Sequence, residues 1–181
     1  MEHGVEASPP SRIPLLGSKL FPFSLALDVI IFDQLAKWLV VHFIPFREIG
    51  AEFFGDLLRI IHVRNLGIAF SMGRNLPEVF RGALFTLLPV IVIAVLIVYY
   101  FRSNEFSRFQ RWAVSGIIGG GIGNLIDRVF RPDGVVDFID VKFFGIFGLE
   151  RWPTFNIADS AVVVCGILLA LSLLFRRKSH E

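Results

Sequence analysis

The chain has 181 residues, of which 54% are hydrophobic and 20 are phenylalanine, and its formal net charge is +2. This much apolar sequence, gathered into long stretches, is typical of a membrane protein and argues against a soluble domain. The net charge is too weak, and the basic residues too dispersed, to indicate a nucleic-acid-binding protein. The single cysteine, Cys165, excludes an internal disulfide and a cysteine-based metal cluster.

Four apolar stretches organise the chain, at residues 21–44, 82–101, 112–126 and 155–175. A helix that crosses a bilayer needs about 20 apolar residues, and only the third stretch falls clearly short of this. We therefore predict a mainly α membrane protein with four transmembrane helices in a single domain over residues 21–175. Residues 1–20 are predicted to be a disordered cytoplasmic tail, and residues 176–181 a basic cytoplasmic tail.

The first stretch contains charged residues, which a membrane interior disfavours. Asp33 and Lys37 are four positions apart, so they share a helix face and can neutralise each other as an ion pair. The pair is either purely structural or also orients a site at the outer surface. Asp28 lies off that face and nearer the cytoplasmic end, and it is expected to be a further buried acid with no assigned role.

The segment at about 45–81 is predicted to lie outside the membrane. Residues 57–63 are rich in β-forming side chains, and residues 48–54 could pair with them. This predicts a small extracytoplasmic β-sheet cradle on the membrane surface. Asn65 follows the predicted strand and precedes Leu66 and Gly67, a setting in which asparagine is most often a turn residue.

The third stretch is rich in glycine. Its glycines are Gly116, Gly119, Gly120, Gly121 and Gly123. In a membrane such residues allow helix backbones to approach closely. Asn124 and Arg128 follow on one helix face, at the outer end of the stretch. Asp127 is predicted to pair with a local arginine.

Two carboxylates are the strongest functional signal in the chain. Asp137 lies in an outer loop predicted at about 127–154, and Asp159 opens the fourth apolar stretch. An ionisable residue at membrane depth marks function by default, and two carboxylates can share a proton so that one activates water while the other donates. Asn156 is predicted to cap the helix of Asp159 and can also bond a neighbouring carboxylate. The pattern predicts a membrane-embedded enzyme of the aspartic-protease type.

Basic residues predict the orientation of the chain, because they concentrate on the cytoplasmic side of membrane proteins. They follow the second and fourth stretches and, more weakly, precede the first: Arg102, Arg108, Arg111, Arg176, Arg177, Lys178 and Lys19. Both termini are therefore predicted to be cytoplasmic, with the two carboxylates at the outer surface, where water can reach them. The alternative is a four-span transporter or channel with Asp33, Lys37 and Asp159 along an ion path, which needs carboxylates near mid-bilayer.

Five segments carry a resemblance to a known family. In chain order they are DQLAK at 33–37, NLGIAF at 65–70, GGGIGNLIDR at 119–128, VVDFI at 135–139 and FNIADS at 155–160. By these motifs and their order, the chain closely resembles the lipoprotein signal peptidases, also called signal peptidase II.

The resemblance implies a substrate and a site. Enzymes of this family are aspartic endopeptidases that remove the signal peptide from diacylglyceryl-modified bacterial prolipoproteins at the outer face of the cytoplasmic (inner) membrane. The family's catalytic dyad falls on Asp137 and Asp159. Its supporting residues fall on Asp33, Lys37, Asn65, Gly120, Asn124, Arg128 and Asn156.

The resemblance further implies contact with membrane lipids, inhibition by the cyclic peptide globomycin, and a reaction that needs no metal or other cofactor. An inactive relative that binds lipoproteins without cutting them is a third hypothesis. The intact pair of aspartates argues against it.

Overall fold

Four long helices and one small sheet contain most of the residues that the computed structural model describes, which are 16–66 and 78–178. The elements in chain order are α1 (Leu16–Leu20), α2 (Phe23–Phe43), β1 (Ile49–Phe53), β2 (Leu58–Asn65), α3 (Glu78–Arg102), α4 (Arg108–Phe130), β3 (Val135–Ile146), β4 (Leu149–Arg151) and α5 (Ile157–Lys178). Each predicted apolar stretch corresponds to one of the four long helices, α2 to α5.

Two of these helices meet both the length and the composition expected of a membrane span, over Leu84–Arg102 in α3 and Ile157–Phe175 in α5. Helices α2 and α4 are long enough, with 21 and 23 residues. Their charged side chains, and the glycines of α4, lower their mean hydropathy. Composition within the described residues therefore identifies two spans where the sequence analysis expects four.

The helices bury polar side chains and expose apolar ones. Asp33, Lys37 and Asp127 are completely buried, whereas Leu87 and Val95 on α3 are 57% and 62% exposed. Soluble proteins show the reverse arrangement. A helix bundle surrounded by lipid is expected to look like this, because its outer surface contacts hydrocarbon and its polar groups must find partners inside.

Helix α4 lies in the middle of the bundle and packs against α2, α3 and α5. Its glycines make the closest approaches: a Cβ added at Gly119 would lie 2.7 Å from the backbone of Ala26 on α2. A Cβ added at Gly120 would lie 2.8 Å from Val162 Cγ2 on α5. The glycine-rich stretch thus packs as expected for close helix contact, and it fixes the separation of the three helices.

The four strands form one antiparallel sheet in the order β1-β2-β3-β4. The predicted strand and its predicted partner are confirmed as β2 and β1. Val40 of α2 packs with Val136 and Phe138 of β3, which attaches the sheet to one end of the bundle.

The prediction of a loop at 127–154 is wrong in its main part, because this segment contains β3 and β4 and its first residues still belong to α4. Asp137 lies on β3 and pairs with Val63 of β2 in the register. The sequence analysis gave weight to the carboxylate of Asp137 and to the many aromatic residues after it. It overlooked the run of β-forming side chains in the same segment. Pairing with β2 satisfies the backbone groups that a loop would leave to water.

Two expectations at the end of the bundle opposite the sheet are also wrong. Residues 16–20 form α1 and are not part of a disordered tail, and Lys19 is buried. Asp28 was expected to be buried, but it is exposed on the side of α2. Residues 1–15, the rest of the predicted tail, lie outside the described residues.

Candidate active site

Asp137 is held between two asparagines. Its neighbours on β3, Val136 and Phe138, pack towards α2, so the alternation of the strand directs Asp137 to the opposite face. One carboxylate oxygen accepts a hydrogen bond from Asn65 Nδ2 at 3.0 Å, and the other accepts one from Asn156 Nδ2 at 2.7 Å. Asn65 is the last residue of β2, where β2 pairs with the start of β3, so sheet pairing brings it to the carboxylate.

Asp159 is held by the first turn of its own helix. Asn156 Oδ1 accepts the Asp159 backbone N–H at 2.9 Å, and Asp159 Oδ2 accepts the Asn156 backbone N–H at 3.2 Å. This reciprocal pair is a capping box in which an aspartate takes the usual glutamate or glutamine position. The other oxygen of Asp159 accepts a hydrogen bond from Asn124 Nδ2 at 2.7 Å. Asn156 therefore bonds both carboxylates, one through its side chain and the other through its backbone.

Lys37 lies completely buried beneath this pair. Its Nζ lies 2.7 Å from Asp33 and 3.1 Å from Asp127, and it donates a hydrogen bond to Asn124 Oδ1 at 2.9 Å. Asn124 Oδ1 also accepts from Asn156 Nδ2 at 3.0 Å. Because these donors occupy the amide oxygen, the amide nitrogen of Asn124 is left to face Asp159. The sequence predicted the ion pair of Asp33 and Lys37, but not the second ion pair, between Lys37 and Asp127.

The two carboxylates bonded to Lys37 also position the backbone beside the two candidate catalytic residues. Asp33 Oδ1 accepts the N–H of Ala158 at 3.0 Å, one residue before Asp159. Asp127 Oδ2 accepts the N–H of Val136 at 3.0 Å, one residue before Asp137. Lys37 thus bonds both of the carboxylates that hold the backbone next to Asp159 and Asp137.

Asp127 also pairs with Arg131, as the sequence analysis predicted for a local arginine. Gln34 was missed. Its Nε2 donates to Asp33 Oδ2 at 3.2 Å, to Gly123 O at 3.0 Å and to Asp127 Oδ1 at 3.0 Å. The signal that could have identified Gln34 was its position between Asp33 and Lys37 in the DQLAK segment.

A cavity of about 420 Å³ opens beside Asp159. Asn124 and Arg128 line it together with Asp159, and apolar side chains of α3 and α5, including Leu88, complete the wall. Among the described residues Arg128 forms no ion pair with a carboxylate, so its guanidinium is available at the cavity. Gly120 lies on α4 and acts through packing, since its contacts are with Ala158 and Val162.

The two carboxylates differ in burial. Asp137 is 2% exposed, whereas Asp159 is half-buried. The pKa of Asp137 is raised to about 7, chiefly by burial. The nearby Asp159 contributes to the rise, and the hydrogen bonds from Asn65 and Asn156 oppose it. A carboxyl whose pKa lies near neutrality, beside a second carboxylate, is suited to acid–base catalysis.

Comparison with known proteins gives the family. The family model described as "Signal peptidase (SPase) II" matches residues 25–175. The chain belongs to the signal peptidase II family. It is accordingly an aspartic peptidase.

Two bacterial relatives are similar to the chain over most of their length. The lipoprotein signal peptidase of Treponema pallidum (strain Nichols) is 52% identical over 160 residues, which cover 88% of this chain and 86% of the relative. That of Borrelia hermsii (strain HS1 / DAH) is 48% identical over 172 residues, covering 94% of this chain and 97% of the relative.

A solved structure described as a bacterial membrane enzyme has a similar fold. The TM-score is 0.75 at 29% sequence identity, and the match covers 92% of this chain and 93% of the other. The family match over residues 25–175 and this structural match thus each cover most of the chain. All nine residues to which the resemblance assigns roles lie in or against one network or cavity wall, toward the end of the bundle that carries the sheet.

Proposed function

We propose that this chain cleaves the signal peptide from diacylglyceryl-modified prolipoproteins, with Asp137 and Asp159 as its catalytic dyad. The observation that carries the proposal is the position of Asn156, which bonds both carboxylates. One of them, Asp159, lines a largely apolar cavity. The names of the relatives, lipoprotein signal peptidases, support the same substrate class.

In the proposed reaction the two aspartates have different roles. The half-buried Asp159 is ionised and takes a proton from water, whose oxygen attacks the scissile carbonyl carbon. The buried Asp137 is protonated and gives its proton to the carbonyl oxygen. When the tetrahedral intermediate collapses, the C–N bond breaks, Asp159 protonates the departing amine and Asp137 recovers its proton from the hydroxyl. No covalent enzyme intermediate forms.

Arg128 is proposed to hold the substrate at the cavity. A guanidinium presents a planar fork of donors that can bind one or two peptide carbonyls, and Arg128 lies at the same cavity wall as Asp159. Globomycin, as the family resemblance implies, would inhibit by occupying this position. The acyl chains of the substrate remain in the lipid, where each buried CH₂ contributes about 0.8 kcal/mol to recruitment.

The proposed setting is the bacterial cytoplasmic (inner) membrane, crossed by α2, α3, α4 and α5, with both termini in the cytoplasm. Exposed apolar side chains on α2, such as Leu27, Ile31 and Leu35, support a span in spite of its charges. Those charges are directed into the bundle, where Asp33 and Lys37 are completely buried. The sheet and the dyad then lie at the outer face.

The proposal is tested by incubating the purified protein with a lipid-modified prolipoprotein and following cleavage by mobility shift. Asp137→Asn and Asp159→Asn are each expected to abolish cleavage while the protein stays folded, because an amide cannot exchange the required proton. Asp28→Asn, an exposed carboxylate at the other end of α2, is the matched control and should cleave normally. Near-normal turnover by either dyad variant would remove the assignment.

A second arm tests the substrate class. The same precursor without its diacylglyceryl group should be cleaved much more slowly, because it lacks the chains that hold the scissile bond at the membrane surface. Equal cleavage rates for the two precursors would contradict the proposed substrate but would leave the dyad in place.

A further inference from the structure

The inner end of the bundle buries two cations. Lys19 is 8% exposed and Arg111 is 3% exposed. Lys19 Nζ donates to Phe101 O at 2.8 Å and to Asn104 Oδ1 at 2.7 Å, and Arg111 Nη2 donates to Ser103 O at 3.2 Å. These acceptors are neutral.

Among the described residues, no carboxylate lies within ion-pair distance of either Lys19 or Arg111. Burial of a cation without an anion is costly. An anion would therefore stabilise this end of the bundle, and the described residues supply none within ion-pair distance of these two cations.

A cavity of about 310 Å³ lies beside Arg111, and that residue's Nη1 is buried without a hydrogen-bond partner. Arg108, which is exposed, also lines the cavity, and so do Phe21 and Trp112, whose rings meet edge to face with centroids 5.4 Å apart. The cavity adjoins the N-terminus of α4, a helix of 23 residues that begins after Ser107. The positive end of the helix dipole adds to the attraction for an anion.

We propose that this cavity, lined by Ser18, Phe21, Pro22, Arg108, Arg111 and Trp112, binds the headgroup phosphate of an anionic phospholipid. Two guanidiniums supply charge-assisted hydrogen bonds to phosphate. Phe21, which is 69% exposed, and Phe109, which is 51% exposed, give the same end of the bundle an apolar surface suited to the glycerol and acyl parts of a lipid. Basic pockets between membrane helices bind anionic headgroups in this way.

The site can be observed through Trp112, because the other two tryptophans, Trp38 and Trp152, belong to the outer part of the molecule. In the full-length Trp38→Phe, Trp152→Phe protein, Trp112 is the sole tryptophan fluorophore. The protein in detergent micelles is titrated with brominated phosphatidylglycerol or with brominated phosphatidylcholine. The anionic lipid is expected to quench Trp112 at a concentration about fivefold lower for each contributing arginine.

Substitutions separate this site from general attraction to charged lipid. Arg108→Gln and Arg111→Gln should each reduce the preference for the anionic lipid about fivefold. Arg102→Gln removes an exposed arginine at the same end that does not line the cavity, and it should keep the preference. Arg108 is exposed, so its variant remains a valid test even if Arg111→Gln fails to fold.

Three results would overturn the proposal. The first is equal quenching by the two lipids, and the second is a preference that survives Arg108→Gln. The third is a thermal stabilisation by inorganic phosphate alone that equals the stabilisation by phosphatidylglycerol, which would make the site one for soluble phosphate. All of these measurements are independent of cleavage activity.

Discussion

The fold gives the carboxyl group of Asp137 a pKa near neutral pH. Its pKa of about 7 lies above the ordinary value of 3.8, chiefly because the side chain is buried. Between these two pH values the folded protein retains a proton that the unfolded chain has lost. The free energy of unfolding therefore falls as pH rises from about 4 to about 7, by up to about 1.4 kcal/mol per pH unit for this group alone.

We accordingly predict that Asp137→Asn is inactive, and that its stability relative to the wild type improves as pH rises from 5 to 8. Thermal unfolding in detergent at the two pH values measures it. Asp56→Asn is a control with the opposite sign, because the hydrogen bond from Lys142 lowers the pKa of Asp56. Its disadvantage should appear at neutral pH and fade in acid. A stability difference between Asp137→Asn and the wild type that is the same at both pH values would contradict the raised pKa.

The same residue predicts the pH dependence of cleavage. If Asp137 is the proton donor, the rate should fall as pH rises through about 7, because the donor is lost in that range. Steady-state cleavage of a lipid-modified precursor between pH 5 and pH 9 provides the measurement. A rate that rises through the same range would instead indicate that Asp137 is the base and Asp159 the proton donor.

Arg128 and Asp33 are predicted to affect different properties. Arg128→Lys should reduce cleavage about tenfold or more with little change in stability, because an ammonium cannot replace the two-pronged donor at the cavity. Asp33→Asn should mainly lower stability, by about 1–3 kcal/mol. Lys37 keeps Asp127 as a partner, and the new amide oxygen can still accept the Ala158 N–H.

The comparison requires cleavage assays at matched folded concentrations, with thermal unfolding of each variant. An Asp33→Asn protein that is as stable as the wild type but inactive, beside a normal Arg128→Lys protein, would reverse the ranking. Asp33 would then have to act in the reaction itself.

At the scale of elements, α4 sets where Asp159 lies. Gly120 faces the backbone of Ala158, which immediately precedes Asp159, and it also faces Val162 one turn later. A side chain at Gly120 must push α5 away from α4. Such a shift would separate Asp159 from Asn124, which belong to different helices and are joined by one hydrogen bond.

Gly120→Ala is therefore predicted to cost about 1–3 kcal/mol of stability, as overpacking does, and to lower cleavage per folded molecule. Gly166→Ala on α5 is the matched control, because a Cβ there meets nothing within 4 Å. It should leave cleavage unchanged and stabilise the helix by up to about 1 kcal/mol. Equal behaviour of the two variants in unfolding and cleavage assays would show that the α4–α5 contact does not govern the site.

At the scale of the whole molecule, opposite ends of the bundle have different chemistry. The outer end carries the sheet and the buried network of Lys37. The inner end carries Lys19 and Arg111 without carboxylate partners among the described residues. Basic residues concentrate on the cytoplasmic side of membrane proteins, so this asymmetry favours the proposed orientation.

The orientation predicts which positions a membrane-impermeant maleimide can reach. In a Cys165→Ala background, Phe147→Cys at the tip of the β3–β4 hairpin should be labelled from outside in intact spheroplasts, since Phe147 is 90% exposed. Arg102→Cys, exposed at the inner end of α3, should be labelled only after permeabilisation. Labelling of both positions from the same side would contradict four spans with an outer sheet.

Local patterns in the sequence were enough for several parts of this protein. Apolar stretches and their lengths predicted the four long helices, and β-forming residues predicted β1 and β2. The i, i+4 spacing predicted the pair of Asp33 and Lys37, which is confirmed. These features depend on residues that are close together in the sequence, so they can be predicted from the sequence alone. The family motifs predicted which residues converge, although their catalytic roles stay predictions.

Only the tertiary structure decided how those residues are held. Hydrogen bonds from Lys37 to Asn124 and from Ala158 to Asp33 join residues 87 and 125 positions apart. They depend on the rotation and separation of helices, which the glycine contacts of α4 fix. Contacts between elements also determine three other features. They are the position of Asp137 on a strand, the ion pair of Lys37 with Asp127, and the burial of Lys19 and Arg111. Each depends on contacts between distant elements, and no local period in the sequence encodes them.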